Sequence, residues 1–125
     1  MGRMRQMINV SGPQCWTLFD TGARNTYVVP EVASLLTTST LRQPFRSAIG
    51  GKVKETRETG LLEAEIEGRR ISTHAMVVDE IGNDEYGRPI KILFGALAMQ
   101  QWGIRLIPEQ EKLDLTHYPA QFVEF

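Results

Sequence analysis

The sequence predicts a mostly β domain, closed or sandwiched, with one or two short helices. Three observations predict it. Short runs of β-branched and aromatic residues recur along the 125-residue chain, divided by turns rich in Gly, Pro and Asn. Two glycine-bearing turns, Gly50-Gly51 and Glu67-Gly68, each lie between segments of extended character. Only 30–36 and 96–102 have the composition of helices. The length fits one domain, 1–125, able to bury about two-thirds of its unfolded surface.

The elements follow in order. Met7-Ile8-Asn9-Val10 is a strand, Ser11-Gly12-Pro13-Gln14 a turn, and Cys15-Trp16-Thr17-Leu18-Phe19 the returning strand. Thr26-Tyr27-Val28-Val29 is β-rich, and 30–36 is a short helix with Pro30 near its first position. Residues 37–40 form a polar linker. Phe45 to Val53 is a hairpin with Gly50-Gly51 at its tip, and 61–66 with 71–78 form a second hairpin around Glu67-Gly68-Arg69-Arg70. Residues 79–89 form a polar loop carrying Gly82, Asn83 and Gly87. Ile90-Lys91-Ile92-Leu93-Phe94 is a buried-type strand, and 96–102 is a helix closed by Gly103. Residues 104–107 and 112–115 make a last hairpin, and the tail ends in Phe122-Val123-Glu124-Phe125. No repeat and no domain boundary interrupts this pattern.

Composition narrows the function. The formal net charge of −1 gives no electrostatic case for nucleic acid or a membrane surface as partner. Arg3 and Arg5 are at most a short basic arm. No stretch reaches the roughly 18 apolar residues of a membrane span, and no signal-peptide core is present, so a cytoplasmic location is expected, alone or within a larger protein. Met1-Gly2 matches the start of a myristoylation signal, but Gln6 stands where Ser or Thr is required. The single cysteine, Cys15, excludes an intrachain disulfide and sits in an apolar run as a buried thiol. His74 and His117 belong to no cluster with ligand spacing, and no metal or cofactor is expected. Asp79, Glu80, Asp84 and Glu85 do not fit a calcium loop and read as solvated. Trp16 and Trp102 read as core.

Asp20-Thr21-Gly22-Ala23 carries the chemistry. An acid closing an apolar strand needs hydrogen bonds or a charge partner. By itself Asp-Thr-Gly is a common turn in which Asp bonds its own backbone. Here it is followed by a Gly-Gly hairpin tip, Ile49-Gly50-Gly51, and by an apolar strand ending at Leu93-Phe94-Gly95 before a helix. In this ordered combination, from about Met7 to Leu115, the sequence resembles the retropepsin-like aspartic proteases, of cellular or bacterial rather than viral type. The resemblance implies a closed, β-barrel-like fold that works as a homodimer and hydrolyses peptide bonds of a peptide or protein substrate. Asp20 would be the catalytic carboxylate, paired with Asp20 of a second copy. Thr21 would hydrogen-bond across the two-fold axis, Gly22 would admit substrate backbone, and Ala23 would remove a hydroxyl from beside the dyad. Ile49, Gly50 and Gly51 would form the flap tip. Gly95 would let its strand pack under the Asp loop. Leu18, Tyr27, Ile49 and Leu93 would line side-chain pockets.

Two positions depart from the viral pattern. Arg24 and Ala96 stand where many retroviral enzymes carry an acid and an arginine, so the ion pairs those residues form at the dimer interface are absent. The tail, 116–125, is expected either to add a strand to a dimer sheet or to cover a surface. The alternative function is a non-proteolytic domain of the same fold that binds peptides or dimerises.

Overall fold

The first hairpin sets the position of everything that follows. In the computed structural model, which describes residues 2–124, β1 (Arg3–Asn9) runs antiparallel to β2 (Gln14–Asp20). The turn between them forms because Ser11 and Gly12 take left-handed φ angles of 55° and 110°. Asn9 brackets it: its amide donates to the Gly12 carbonyl (3.1 Å), and its carbonyl oxygen accepts from the Gly12 N–H (3.0 Å). The register this imposes places Arg3 directly opposite Asp20.

The remaining elements are β3 (Thr26–Val28), α1 (Pro30–Ala33), β4 (Thr38–Ile49), β5 (Lys52–Ile66), β6 (Arg69–Val77), β7 (Ile92–Phe94), α2 (Ala96–Gln101), β8 (Arg105–Ile107) and β9 (Lys112–Asp114), with a 3-10 turn, Pro108–Gln110, between the last two. Seven strands form one sheet in the order β1-β2-β7-β3-β6-β5-β4, and a further bridge, Asn9 opposite Glu65, ties β1 to β5. Pairs β2/β7 and β3/β6 are parallel. Strands β8 and β9 pair separately. The core lies where strand alternation points inward: on β5, Leu62, Ala64 and Ile66 are buried while Leu61, Glu63 and Glu65 are exposed. Phe19 of β2 and Phe94 of β7 are fully buried with ring centroids 5.0 Å apart. Ala98 and Met99 bring the inner face of α2 onto the same core.

Several elements differ from expectation. Residues 37–40 are not a linker: β4 begins at Thr38 and pairs with β5 from Thr38 opposite Gly60, since three β-branched or small residues beside an unpaired strand edge extend it. The Gly50-Gly51 hairpin and the second hairpin share one uninterrupted fifteen-residue strand, β5. Helix α1 ends at Ala33, not Leu36, because Leu35 and Leu36 N–H groups bond three residues back and tighten the last turn. Ile90 and Lys91 precede β7 rather than belong to it, and Ile104 and Leu115 flank β8 and β9 as buried coil. Gly103 does close α2, at φ 65°. The described tail forms no strand. It turns back so that Tyr118 stacks on Trp102 (6.0 Å) and Phe122 meets the same ring edge-on (5.4 Å). Met1, which opened the myristoylation match, and Phe125 of the tail lie outside the described residues. No helix among the described residues is long and apolar enough to cross a membrane.

Candidate active site

Asp20 ends β2 and is 7% exposed. Its Oδ1 accepts from the Gly22 N–H at 2.8 Å, and the Ala23 N–H closes the turn on the Asp20 carbonyl at 3.1 Å. Its Oδ2 is held by Arg3 Nε at 3.1 Å, an ion pair whose guanidinium side is 66% exposed. Thr21 is also engaged by the first strand: its N–H donates to the Gly2 carbonyl (3.1 Å), and its Oγ1 accepts from the Gly2 N–H (2.9 Å).

The loop rests on β7 and α2. Phe19 lies opposite Phe94 in the parallel β2/β7 pair. Immediately after it, the N–H groups of Ala96 and Leu97 donate to the carbonyls of Ala23 (2.7 Å) and Arg24 (3.1 Å). These are donors that the start of a helix leaves without intrahelical partners. The Gly95 N–H donates to buried Thr26 Oγ1 (3.1 Å). Gly95 has an ordinary extended backbone, but a Cβ there would stand 2.2 Å from the Asn25 carbonyl oxygen. The departures at Arg24 and Ala96 therefore leave a loop tied to the helix by backbone bonds.

Over this turn lies a cleft of about 620 Å³. Leu18, Tyr27 and Leu93 form a small apolar cluster with Val78 and Ile90, and Ile49 packs against it from the hairpin above. The four residues expected to line pockets thus come together, and all four face the cleft with Asp20, Gly22 and Ala23. The hairpin tip, Gly50-Gly51, turns in two residues with φ of 58° and 80°, a conformation that glycine adopts without strain. Tyr27 OH donates to Ser47 Oγ (2.9 Å), linking the cleft wall to the hairpin arm.

Sequence reasoning missed the charged frame of the cleft. Arg3, at most a short basic arm in the sequence, lies opposite Asp20 because Gln14 pairs with Asn9 as a strand residue rather than belonging to the turn. The 79–89 loop is exposed, as expected of a solvated segment, and it is also ordered. Asp84 organises it, accepting from the N–H groups of Tyr86 (2.8 Å) and Arg88 (2.9 Å) and from Trp16 Nε1 (3.0 Å). Those bonds, the Arg88 N–H first, hold its carboxyl below the usual range. Trp16 is half-buried and packs against the Leu18, Tyr27 and Leu93 cluster, with the Arg88 guanidinium 4.2 Å from its ring centroid. Arg5 pairs with Glu85. Cys15 is buried as expected, and burial, with the nearby Glu31 charge adding to it, pushes its thiol up.

The hairpin arm is tethered to the same loop. Lys54 of β5, with its side chain only 9% exposed, reaches Asp79 (3.0 Å) and Glu80 (3.7 Å). The Lys54 hydrogen bond, seconded by the Glu80 N–H, lowers the Asp79 carboxyl below 3.8. A lowered folded value means the tether is fully present above the unfolded value and is lost as pH falls through the folded one. Asp79→Ala is expected to speed amide exchange of the β5 arm around Lys54 about two- to five-fold at pH 6, with Glu80 retaining part of the tether. The gap between variant and wild type is expected to close below the lowered Asp79 value, which exchange followed by mass spectrometry across pH 3 to 7 checks.

The fold has known counterparts. The chain superposes on EIAV protease, solved as its complex with the inhibitor HBY-793, with a TM-score of 0.61 at 20% identity, covering 85% of this chain and 93% of that one. It superposes on the retroviral protease-like domain of Ddi1 from Leishmania major with a TM-score of 0.64 at 14% identity, covering 93% of this chain and 90% of that one. A third counterpart is the foamy viral protease–reverse transcriptase in complex with an RNA/DNA hybrid (TM-score 0.53, 10% identity, 80% of this chain), of which the match spans only 12%. No protein-family model and no curated protein matches the chain by sequence. These likenesses establish a retropepsin-like fold of the aspartic-protease type.

Proposed function

We propose that the protein is an aspartic endopeptidase whose active unit is a homodimer of barrel-like domains. The observation that carries this reading is Asp20: a nearly buried carboxylate on a glycine turn, at the floor of a cleft walled by apolar side chains and roofed by a Gly-Gly hairpin. One such carboxylate per chain is half of the required apparatus. With Asp20 of a second copy beside it, like charges cannot both ionise, and the pair holds one proton as a unit. The ionised member takes a proton from water as its oxygen attacks the scissile carbonyl carbon. The protonated member donates to the carbonyl oxygen as negative charge develops there. Collapse of the tetrahedral intermediate breaks the C–N bond, and the leaving nitrogen takes the proton acquired from water.

Leu18, Tyr27, Ile49 and Leu93 would seat apolar substrate side chains, and the Ile49-Gly50-Gly51 tip would close over the peptide and exclude water. Beside Thr21, a shallow surface of Ala96, Met99, Ile104, Leu106 and Pro108 supports docking of a second copy next to the site. Cleavage of an unfolded protein mixture between pH 4 and 7 tests the proposal. At concentrations where the chain is mostly single, the rate is expected to rise with the square of chain concentration. A rate strictly proportional to concentration throughout that range would rule out a site shared between copies. The ion pair from Arg3 favours the alternative, a peptide-binding domain that does not cleave, because a carboxylate held by a guanidinium activates no water. Saturable binding of peptides with no cut in the same assay would establish that alternative.

A further inference from the structure

We infer that the Gly2-Arg3 segment is an intramolecular latch that opposes pairing of two chains by competing with the second copy for the same atoms. The inference rests on the homodimeric reading above. The residues proposed to meet the partner are Asp20 and Thr21, and in the single chain both are already occupied. Arg3 Nε lies 3.1 Å from Asp20 Oδ2. The Thr21 N–H is spent on the Gly2 carbonyl (3.1 Å), and Thr21 Oγ1 takes the Gly2 N–H (2.9 Å) while lying 3.2 Å from the Gly2 carbonyl oxygen.

Two sets of bonds cannot coexist. An Asp20 pair needs a carboxylate oxygen free to share a proton, and a guanidinium on Oδ2 places a permanent cation where that proton would sit. Thr21 has one N–H and one hydroxyl proton to donate, and donating either across the axis requires its release from the Gly2 carbonyl. Other charges do not substitute for Arg3. Arg5 is paired with Glu85, and the Oδ1 of Asp20 is taken by the Gly22 N–H. The β1/β2 register fixes Arg3 opposite Asp20, so the latch forms whenever the first hairpin does. Formation of the dyad then exchanges two latches, one per chain, for one shared proton and the bonds across the axis.

The latch is weak enough to release. An ion pair with an exposed guanidinium is worth about three-fold in equilibrium, so breaking two costs dimerisation about ten-fold. Arg3→Gln is therefore expected to lower the dimer dissociation constant about ten-fold in sedimentation equilibrium, while Arg3→Lys, which keeps the charge, stays nearer wild type. Because the latch acts through the Asp20 carboxylate, the same Arg3→Gln change in an Asp20→Asn chain is expected to shift dimerisation less than about two-fold. Equal dissociation constants for Arg3→Gln and wild type, or an effect undiminished in Asp20→Asn, would overturn the latch and leave the peptidase reading standing. A chain that stays single at every concentration, whichever residue stands at position 3, would overturn the dimer and the latch with it. A dimer that responds as expected to Arg3→Gln yet never cleaves would overturn the peptidase reading alone.

Discussion

Replacing Asp20 by Asn is expected to lower peptide cleavage by about 10²- to 10⁴-fold, the range that general acid–base catalysis contributes. Asn keeps the shape of the side chain and can still accept from the Gly22 N–H at the position Oδ1 now holds, so the fold is expected to survive with little change in melting temperature. What disappears is the capacity to hold and pass a proton. The substitution also tests whether two chains share the site. In a mixture with an equal amount of wild type, random pairing makes half of the wild-type chains partners of inactive ones, so activity is expected to fall to about half. A site complete within one chain would be indifferent to the added variant. Initial rates on a fixed peptide, with Asp20→Asn titrated into constant wild type, measure both effects. Full activity of pure Asp20→Asn would end the proposal.

Gly95→Ala is expected to be the most destabilising single methyl in the molecule's active half. Its φ of −93° is open to any residue, so conformational freedom is not what glycine supplies here. Space is. A Cβ would stand 2.2 Å from the Asn25 carbonyl oxygen and 2.7 Å from that of Arg24, both backbone atoms in the loop that carries Asp20. Either α2 moves away or the loop does, and each movement breaks the Ala96 and Leu97 bonds to that loop. The expected cost is about 3 kcal/mol or more, roughly 10 °C in the thermal midpoint for a chain of this size. Cleavage is expected to fall further than stability, since the strain falls on the turn that carries Asp20. Gly51→Ala makes the contrast: no atom lies within 4 Å of its Cβ position, and only left-handed strain of about 1 kcal/mol is expected. Thermal unfolding of the two variants side by side checks the ranking.

The turn at Asp20 and the cleft beside it were legible because their markers are local. A strand closing on Asp20, a two-glycine hairpin tip and a strand ending at Gly95 each show in a few consecutive residues, and their order carries the resemblance. The hairpin turns were legible for the same reason, since turn chemistry at Ser11-Gly12, Gly50-Gly51 and Glu67-Gly68 punctuates the chain. The extent of β4 and β5 was not. Thr38, Ser39 and Thr40 look like a linker until a long neighbour offers them an edge, and nothing within the segment signals that neighbour. The charged frame escaped because it is assembled across sequence: Lys54 meets Asp79, and Trp16 meets Asp84, through contacts that only the sheet order brings about. Arg3 is the intermediate case. Its partner depends on where the turn is cut: a turn over 11–14 sets Arg5 against Asp20, whereas the observed pairing of Asn9 with Gln14 sets Arg3 there.

The parallel pairing of β2 with β7 has a consequence in time. It joins residues roughly 75 positions apart, whereas each hairpin closes over a handful. Contacts of such separation form late, after the local ones have organised the chain. At ribosomal speeds of about 5–20 residues per second, the segment carrying Asp20 is made roughly 4–15 s before Phe94 and Gly95 exist to support it. Throughout that interval the carboxylate sits on a hairpin without its floor. A nascent chain of this topology therefore carries Asp20 without its supporting strand until β7 has been made.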